Sequence, residues 1–201
     1  MLDAVVIPVL PSPLDWLVEP VAWQVLPPDG LSITAGPGTD LFVAPDGSGA
    51  MRSAAMLVTQ VRGEFLFSAR VSAEHRARFD AGVLLLWIDE RTSAKLCVEL
   101  APSGRPMIVS VVTRGVSDDA NAFEVDGSEA WLRICRMGTA FALHASLDGV
   151  SWQLVRHFAL PAGESVGVGF LSQSPTGSGV VATFRDIRLT PGSIADIRDG
   201  R

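Results

Sequence analysis

Short runs of Val, Ile, Leu, Phe and Trp recur along the whole chain, each closed by Gly, Pro, Asp, Asn or Ser, and almost nothing follows helical spacing. An amphipathic helix needs an apolar stripe at i, i+3, i+4 and i+7. No dozen residues here sustain one without a Gly, a Pro or a β-branched interruption. The runs therefore predict strands, over 23–27, 31–35, 54–59, 64–73, 81–89, 94–100, 106–114, 130–137, 139–146, 151–158, 164–172 and 179–189. The breaks between them carry turn chemistry. Asp148-Gly149, Ser103-Gly104 and Met137-Gly138 separate successive runs, and Gly in such a turn supplies φ > 0. Parallel strands would need helical crossovers, so short strands joined by tight turns build an all-β antiparallel sandwich or barrel.

A chain of 201 residues suits one such domain, and 48% apolar content is enough to fill its core. Pro8, Pro11, Pro13 and Pro20 bar residues 1–20 from a central strand and predict an extended arm pinned by Trp16. The sandwich is expected over 21–190, with 191–201 a frayed tail. The net charge is −6 and no Lys/Arg run occurs, which argues against nucleic acid and anionic membrane surfaces as partners. The longest apolar run, near Ala81 to Ile88, is far shorter than the ~20 residues a bilayer-crossing helix needs. The N-terminus lacks the basic start of a secretory leader, so a cytoplasmic location is expected. In that setting Cys97 and Cys135 are expected to be reduced and buried, and without clustered histidines they cannot hold zinc. No cofactor is expected.

Several segments, in order, carry a family resemblance. They are Ile33-Thr34-Ala35-Gly36-Pro37-Gly38-Thr39-Asp40-Leu41-Phe42, Phe79-Asp80-Ala81-Gly82, Lys95-Leu96-Cys97-Val98-Glu99 and Ser110-Val111-Val112-Thr113-Arg114-Gly115. Ser117-Asp118-Asp119, Trp131-Leu132-Arg133-Ile134, Ser146-Leu147-Asp148-Gly149 with Trp152, and Gly169-Phe170 leading to Gln173-Ser174-Pro175-Thr176-Gly177 complete the set. Together they resemble DUF1349, a concanavalin A-like family in which one fungal member is described as a regulator of enolase. The resemblance implies a jelly-roll sandwich related to legume lectins, glucanases and the accessory domains of some xylosidases. It implies no established reaction, and a shared fold does not fix a function.

Alternation in strands sorts side chains by face. Lys95, Cys97 and Glu99 share one side of their run, Val83, Leu85 and Trp87 one side of theirs, and Gly169, Leu171 and Gln173 one side of a third. Trp131, Arg133 and Cys135 are co-facial, as are Ala142, His144 and Ser146. Placed in one sheet, Trp87, Lys95, Glu99, Arg133, His144 and Gln173 would converge on a concave polar face. An aromatic platform with charged and amide groups suits a carbohydrate or sugar-like metabolite. The plain alternative is a solvated face with cross-strand ion pairs.

Catalysis finds little support. Glucanases of this superfamily set their acids on one strand as Glu-x-Asp-x-x-Glu, and the run holding Glu99 offers no second acid. No catalytic residue is assigned. Gly36-Pro37-Gly38-Thr39-Asp40 precedes a strand-like Leu41-Phe42-Val43 and not a helix, so it fails as a phosphate cradle and reads as a turn whose Thr39 and Asp40 bond back to backbone. Asp40 with Asp46, or Asp118 and Asp119 with Asn121, do not rise above ordinary loop composition as calcium ligands. The expected function is a ligand-binding sandwich for a sugar-like molecule. The rivals are a protein-interaction domain of the enolase-regulator kind, and an enzyme on small sugars or sugar acids using Glu99 or His144 as a base.

Overall fold

A computed structural model describes residues 3–201, and none of them is helical. The strands in chain order are β1 (Asp15–Val18), β2 (Ala22–Leu26), β3 (Gly30–Ala35), β4 (Leu41–Val43), β5 (Ala50–Arg52), β6 (Ala55–Arg62), β7 (Phe65–Ala73) and β8 (Ala81–Asp89). They continue with β9 (Thr92–Leu100), β10 (Pro106–Arg114), β11 (Val116–Glu124), β12 (Glu129–Met137), β13 (Ala140–Ser146), β14 (Gln153–Ala159), β15 (Ser165–Gln173) and β16 (Val180–Pro191). Two seven-stranded antiparallel sheets face each other. The first has the order β1-β6-β15-β8-β9-β10-β11, and the second β14-β13-β12-β7-β16-β3-β2.

Alternation builds the core between them. Along β7 the side chains of Phe65, Phe67, Ala69, Val71 and Ala73 are buried while those between are half-exposed. Phe67 meets Phe170 of the first sheet edge-on at 5.4 Å between ring centroids, and Phe184 lies 4.8 Å beyond. Such aromatic pairs add about 0.5–1.5 kcal/mol to the burial itself. The N-terminal arm contributes Val5, Ile7, Leu10 and Leu14 to the same core, with Trp16 packed on it. Met1 and Leu2 of the expected arm lie outside the described residues.

A third layer covers the outer face of the first sheet. Met56, Val58, Val83, Leu85, Cys97, Val109, Val111 and Leu171 form a second apolar cluster there, with Leu41 and Phe42 of the β4–β5 hairpin packed on it. β6 and β8 are apolar on both faces for this reason, a pattern that marks strands buried from both sides. The sequence does not announce the strands at the margins. β11, read as a loop, is an edge strand whose Asp118, Asp119 and Asn121 are exposed, so no apolar alternation marks it. The tight turn expected at Asp148-Gly149 is a longer loop, since β13 ends at Ser146 and β14 begins only at Gln153.

Candidate functional site

The ladder of the first sheet decides which side chains meet. Ala81 of β8 lies between Gln173 of β15 and Glu99 of β9, so those two flank a residue with almost no side chain. Lys95 is opposite Leu85 on one side and Val111 on the other, on the same outer face. The chain before β4 brings Asp40 over this face, and β11 brings Asp119 and Asn121 along its edge. These groups, with Phe42, Phe79, Pro102, Val109 and Val111, line a cavity of about 340 Å³.

Lys95 is the anchor. Its residue is only 3% exposed, and its Nζ donates to Asp40 Oδ1 at 3.1 Å and to Gln173 Oε1 at 2.9 Å. Gln173 Nε2 in turn donates to the Phe79 carbonyl at 3.4 Å, and Asp40 Oδ1 accepts the Leu41 amide at 2.7 Å. Thr39 Oγ1 donates to the Gly36 carbonyl at 2.8 Å, so Thr39 and Asp40 both bond back to backbone as the turn reading expects. An ammonium group has three donors, and two are accounted for. Glu99 is half-buried and, among the described residues, has no ion-pair or hydrogen-bond partner. Burial pushes its carboxyl up to about 7. Lys95 opposes that shift, while Asp40 and Asp119 add to it.

Three of the six expected site residues, Lys95, Glu99 and Gln173, therefore share one cavity. Trp87 lies on the same face but opposite Ser93, two rungs past Lys95, and packs half-buried on the apolar cluster without lining the cavity. Arg133 and His144 need correction. β12 and β13 belong to the second sheet, so these two pair with each other on its outer face, across the sandwich from Lys95. Alternation fixes the side of a strand's own sheet and says nothing about which sheet the strand joins.

That opposite face is also covered. The residues after Pro191, expected to fray, turn back over it. Arg133 Nη2 donates to the Gly200 carbonyl at 2.7 Å and stacks 4.1 Å from the Trp152 ring centre. His144 Nε2 lies 2.8 Å from the Ile197 carbonyl, and its Nδ1 lies 3.8 Å from Cys135 Sγ. Nε2–H donating to the carbonyl leaves Nδ1 to accept from the thiol, which sets a neutral tautomer. Burial lowers the His144 pKa to about 4 and raises that of Cys135 to about 11. Both cysteines are free and fully buried. No group of three or more His, Cys, Asp or Glu among the described residues is arranged to hold a metal ion.

A family model for DUF1349, a protein family of unknown function, matches residues 16–192. The chain belongs to that family. No curated protein sequence matches this DUF1349 member. A functionally unknown protein from Saccharomyces cerevisiae shares its fold at a TM-score of 0.83 and 23% identity, over 89% of this chain and 96% of the other. A GH43 protein from Bacillus licheniformis aligns at 0.70 and 14% identity over 89% of this chain, which corresponds to only 37% of that protein. The carbohydrate-binding module CBM66 from Bacillus subtilis aligns at 0.56 and 12% identity, over 87% of this chain and 94% of the module. At these identities the likeness is one of fold, and it makes this DUF1349 domain a concanavalin A-like jelly roll.

Sequence reasoning missed five polar and aromatic contributors to the cavity, Asp40, Phe42, Phe79, Asp119 and Asn121: the first three are delivered by a loop or a short hairpin and the last two by an edge strand read as a loop. One local signal existed for the first two, since the turn ending at Asp40 is followed directly by an apolar Leu41-Phe42-Val43 run that needs a surface to cover. Phe79 sits at φ 69°, and nothing in the sequence marks that.

Proposed function

We propose that this DUF1349 domain binds a carbohydrate or sugar-like metabolite in the cavity between Lys95, Glu99 and Gln173. The observation that carries the reading is unspent hydrogen-bonding capacity inside a half-apolar hollow. Here the third donor of Lys95, one N–H of Gln173 and the whole Glu99 carboxyl have no protein partner among the described residues. Phe42, Phe79, Val109 and Val111 supply the apolar wall on which a sugar ring face can rest. Jelly-roll relatives named as a carbohydrate-binding module and a GH43 protein make the class reasonable by analogy of fold alone. A second reading, acid–base chemistry on the same ligand, draws on the Glu99 carboxyl held near 7.

A thermal-shift screen over mono- and disaccharides, followed by calorimetry, tests the binding reading, because a ligand that binds only the folded state raises the melting temperature. Lys95→Met keeps the aliphatic stem and should weaken the affinity of any hit by about 1.5–3 kcal/mol, the usual value of a hydrogen bond to a charged group. Arg133→Met, on the opposite sheet, should leave that affinity unchanged. A hit that ignores Lys95→Met binds elsewhere.

A further inference from the structure

Arg133, on the outer face of the second sheet, is a buried cation without an anion. Its residue is 7% exposed, and no carboxylate among the described residues pairs with it. A buried charge left without a counter-charge is costly. The Cys135 thiol beside it brings none, because burial pushes its pKa up to about 11 and keeps it protonated. Nε and Nη2 form one edge of a guanidinium, a two-donor fork that matches the two oxygens of a carboxylate. Here Nη2 donates to a single oxygen, the Gly200 carbonyl at 2.7 Å, and Nε is buried with no hydrogen-bond partner. One half of the fork is filled, by a neutral group.

That group belongs to a lightly held segment. Residues 193–201 join no strand, and the two carbonyls of Ile197 and Gly200 tie them to the sheet. Their other backbone bonds run within the segment, such as the Gly200 N–H to the Asp196 carbonyl at 2.9 Å. We propose that Arg133, Trp152 and His144 form a second binding site, for the carboxyl end of a glycine-terminated peptide, and that residues 193–201 occupy it as a displaceable plug. A terminal carboxylate brings the fork the second oxygen and the charge that an amide carbonyl lacks. A single guanidinium, stacked 4.1 Å from the Trp152 ring centre, suits a monoanion better than a phosphate dianion. Glycine is required at the end, because a Cβ at position 200 would collide with the Arg133 guanidinium and stand 2.7 Å from Trp152 Cβ. His144 Nε2 donates to the carbonyl three residues upstream at 2.8 Å, so a peptide reaches both donors where a small acid does not. The site lies across the sandwich from Lys95 and is independent of the sugar reading.

Gly200→Val in the full chain opens the site, since a side chain at φ 72° is strained and cannot re-enter the slot. Reaction of Cys135 alone before denaturation marks a folded chain with the slot open. Fluorescence anisotropy then follows a labelled peptide of residues 193–200 ending in the Gly200 carboxylate. This free acid should bind the variant, while its C-terminal amide and its Gly200→Ala form should bind at least about tenfold more weakly, the usual loss with a hydrogen bond to a charged group. Adding Arg133→Met should bring the acid down to the amide. The intact chain should bind all three more weakly still, because its own segment competes at about millimolar effective concentration. N-acetylglycine, which carries the same end without the strand, should displace the peptide only at concentrations at least about tenfold above those of unlabelled peptide. Absence of peptide binding overturns the inference, and so does equal binding of acid and amide or an advantage of the acid that survives Arg133→Met. Displacement by N-acetylglycine as effective as by the peptide makes this a site for small acids and sinks the peptide reading. A Gly200→Val chain whose Cys135 stays closed, or which loses its cooperative melt, shows the segment to be a fixed part of the fold and not a plug.

Discussion

Glu99 and His144 titrate in opposite senses, and each reports the polarity of its own sheet face. In the folded protein Glu99 holds its proton to about pH 7, against about 4.3 for a glutamate in an unfolded chain. Between those values the folded state binds more protons, so this group's contribution to stability falls as pH rises, by at most ~1.4 kcal/mol per pH unit. His144 behaves in reverse. Its folded pKa is lowered to about 4 against ~6.5 unfolded, so its contribution is intact above 6.5 and is lost as pH falls toward 4. The two slopes oppose each other below pH 6.5, and a wild-type profile alone will not separate them. Urea denaturation of wild type and Glu99→Gln at pH 5, 6, 7 and 8 does. The advantage of wild type over the variant should shrink steadily with rising pH, whereas a pH-independent difference would mean Glu99 titrates as an ordinary surface acid.

The β13–β14 connection shows how one element is held by its loop. Ser146 Oγ donates to Asp148 Oδ1 at 2.9 Å, and the same oxygen accepts the amides of Val150 at 2.8 Å and Ser151 at 2.7 Å. Those donors hold the Asp148 carboxyl far below the usual carboxylate range. Gly149 completes the loop at φ 74°, and a Cβ there would meet the Trp131 ring at 3.0 Å. Gly149→Val is therefore both strained and crowded, and it should cost about 1–3 kcal/mol. Chemical denaturation measures it, and an unchanged midpoint would show that the loop relaxes freely away from Trp131. Gly149 lies on the second sheet's hairpin, so sugar affinity at the Lys95 cavity should not change.

At the scale of the whole molecule, each sheet carries a cover on its outer face. The β4–β5 hairpin lies on the first sheet, and the chain after Pro191 lies on the second. Gly200 is buried at φ 72°, and a Cβ there would collide with the Arg133 guanidinium, so the tail is seated by its backbone in a fitted slot. Ending the chain at Gly192 should release Arg133 and His144 to water and lay Cys135 open, while Cys97, under the other cover, stays closed. Thiol titration of the native protein reads this without a ligand. The intact chain should react at neither cysteine before denaturation, and the shortened chain at Cys135 alone. Equal protection of both thiols in the shortened chain would show that the second sheet needs no cover.

The period of two and the turn residues between runs were enough, from sequence, to determine an all-β antiparallel sandwich or barrel and the facing of nearly every central side chain, and the family resemblance chose the sandwich. Lys95 and Glu99 were legible as co-facial polar residues in an apolar run, and Gln173 as their counterpart, because alternation is a property of a single strand. Which strands share a sheet is not. Arg133 and His144 have the same local signature as Lys95 and Glu99, yet the pairing of β12 with β7 places them across the core. That pairing is set by which hairpins bury the most apolar area together, a sum over the whole chain that no window of sequence contains. Asp40, Phe42 and Phe79 reach the cavity from loops and a short hairpin, whose paths depend on the surfaces beneath them. Asp119 and Asn121 sit on a strand solvated on both faces, where sequence carries no apolar pattern at all. The sequence thus determined the fold and half of the site's polar groups, while tertiary packing decided which of the candidates meet and what covers them.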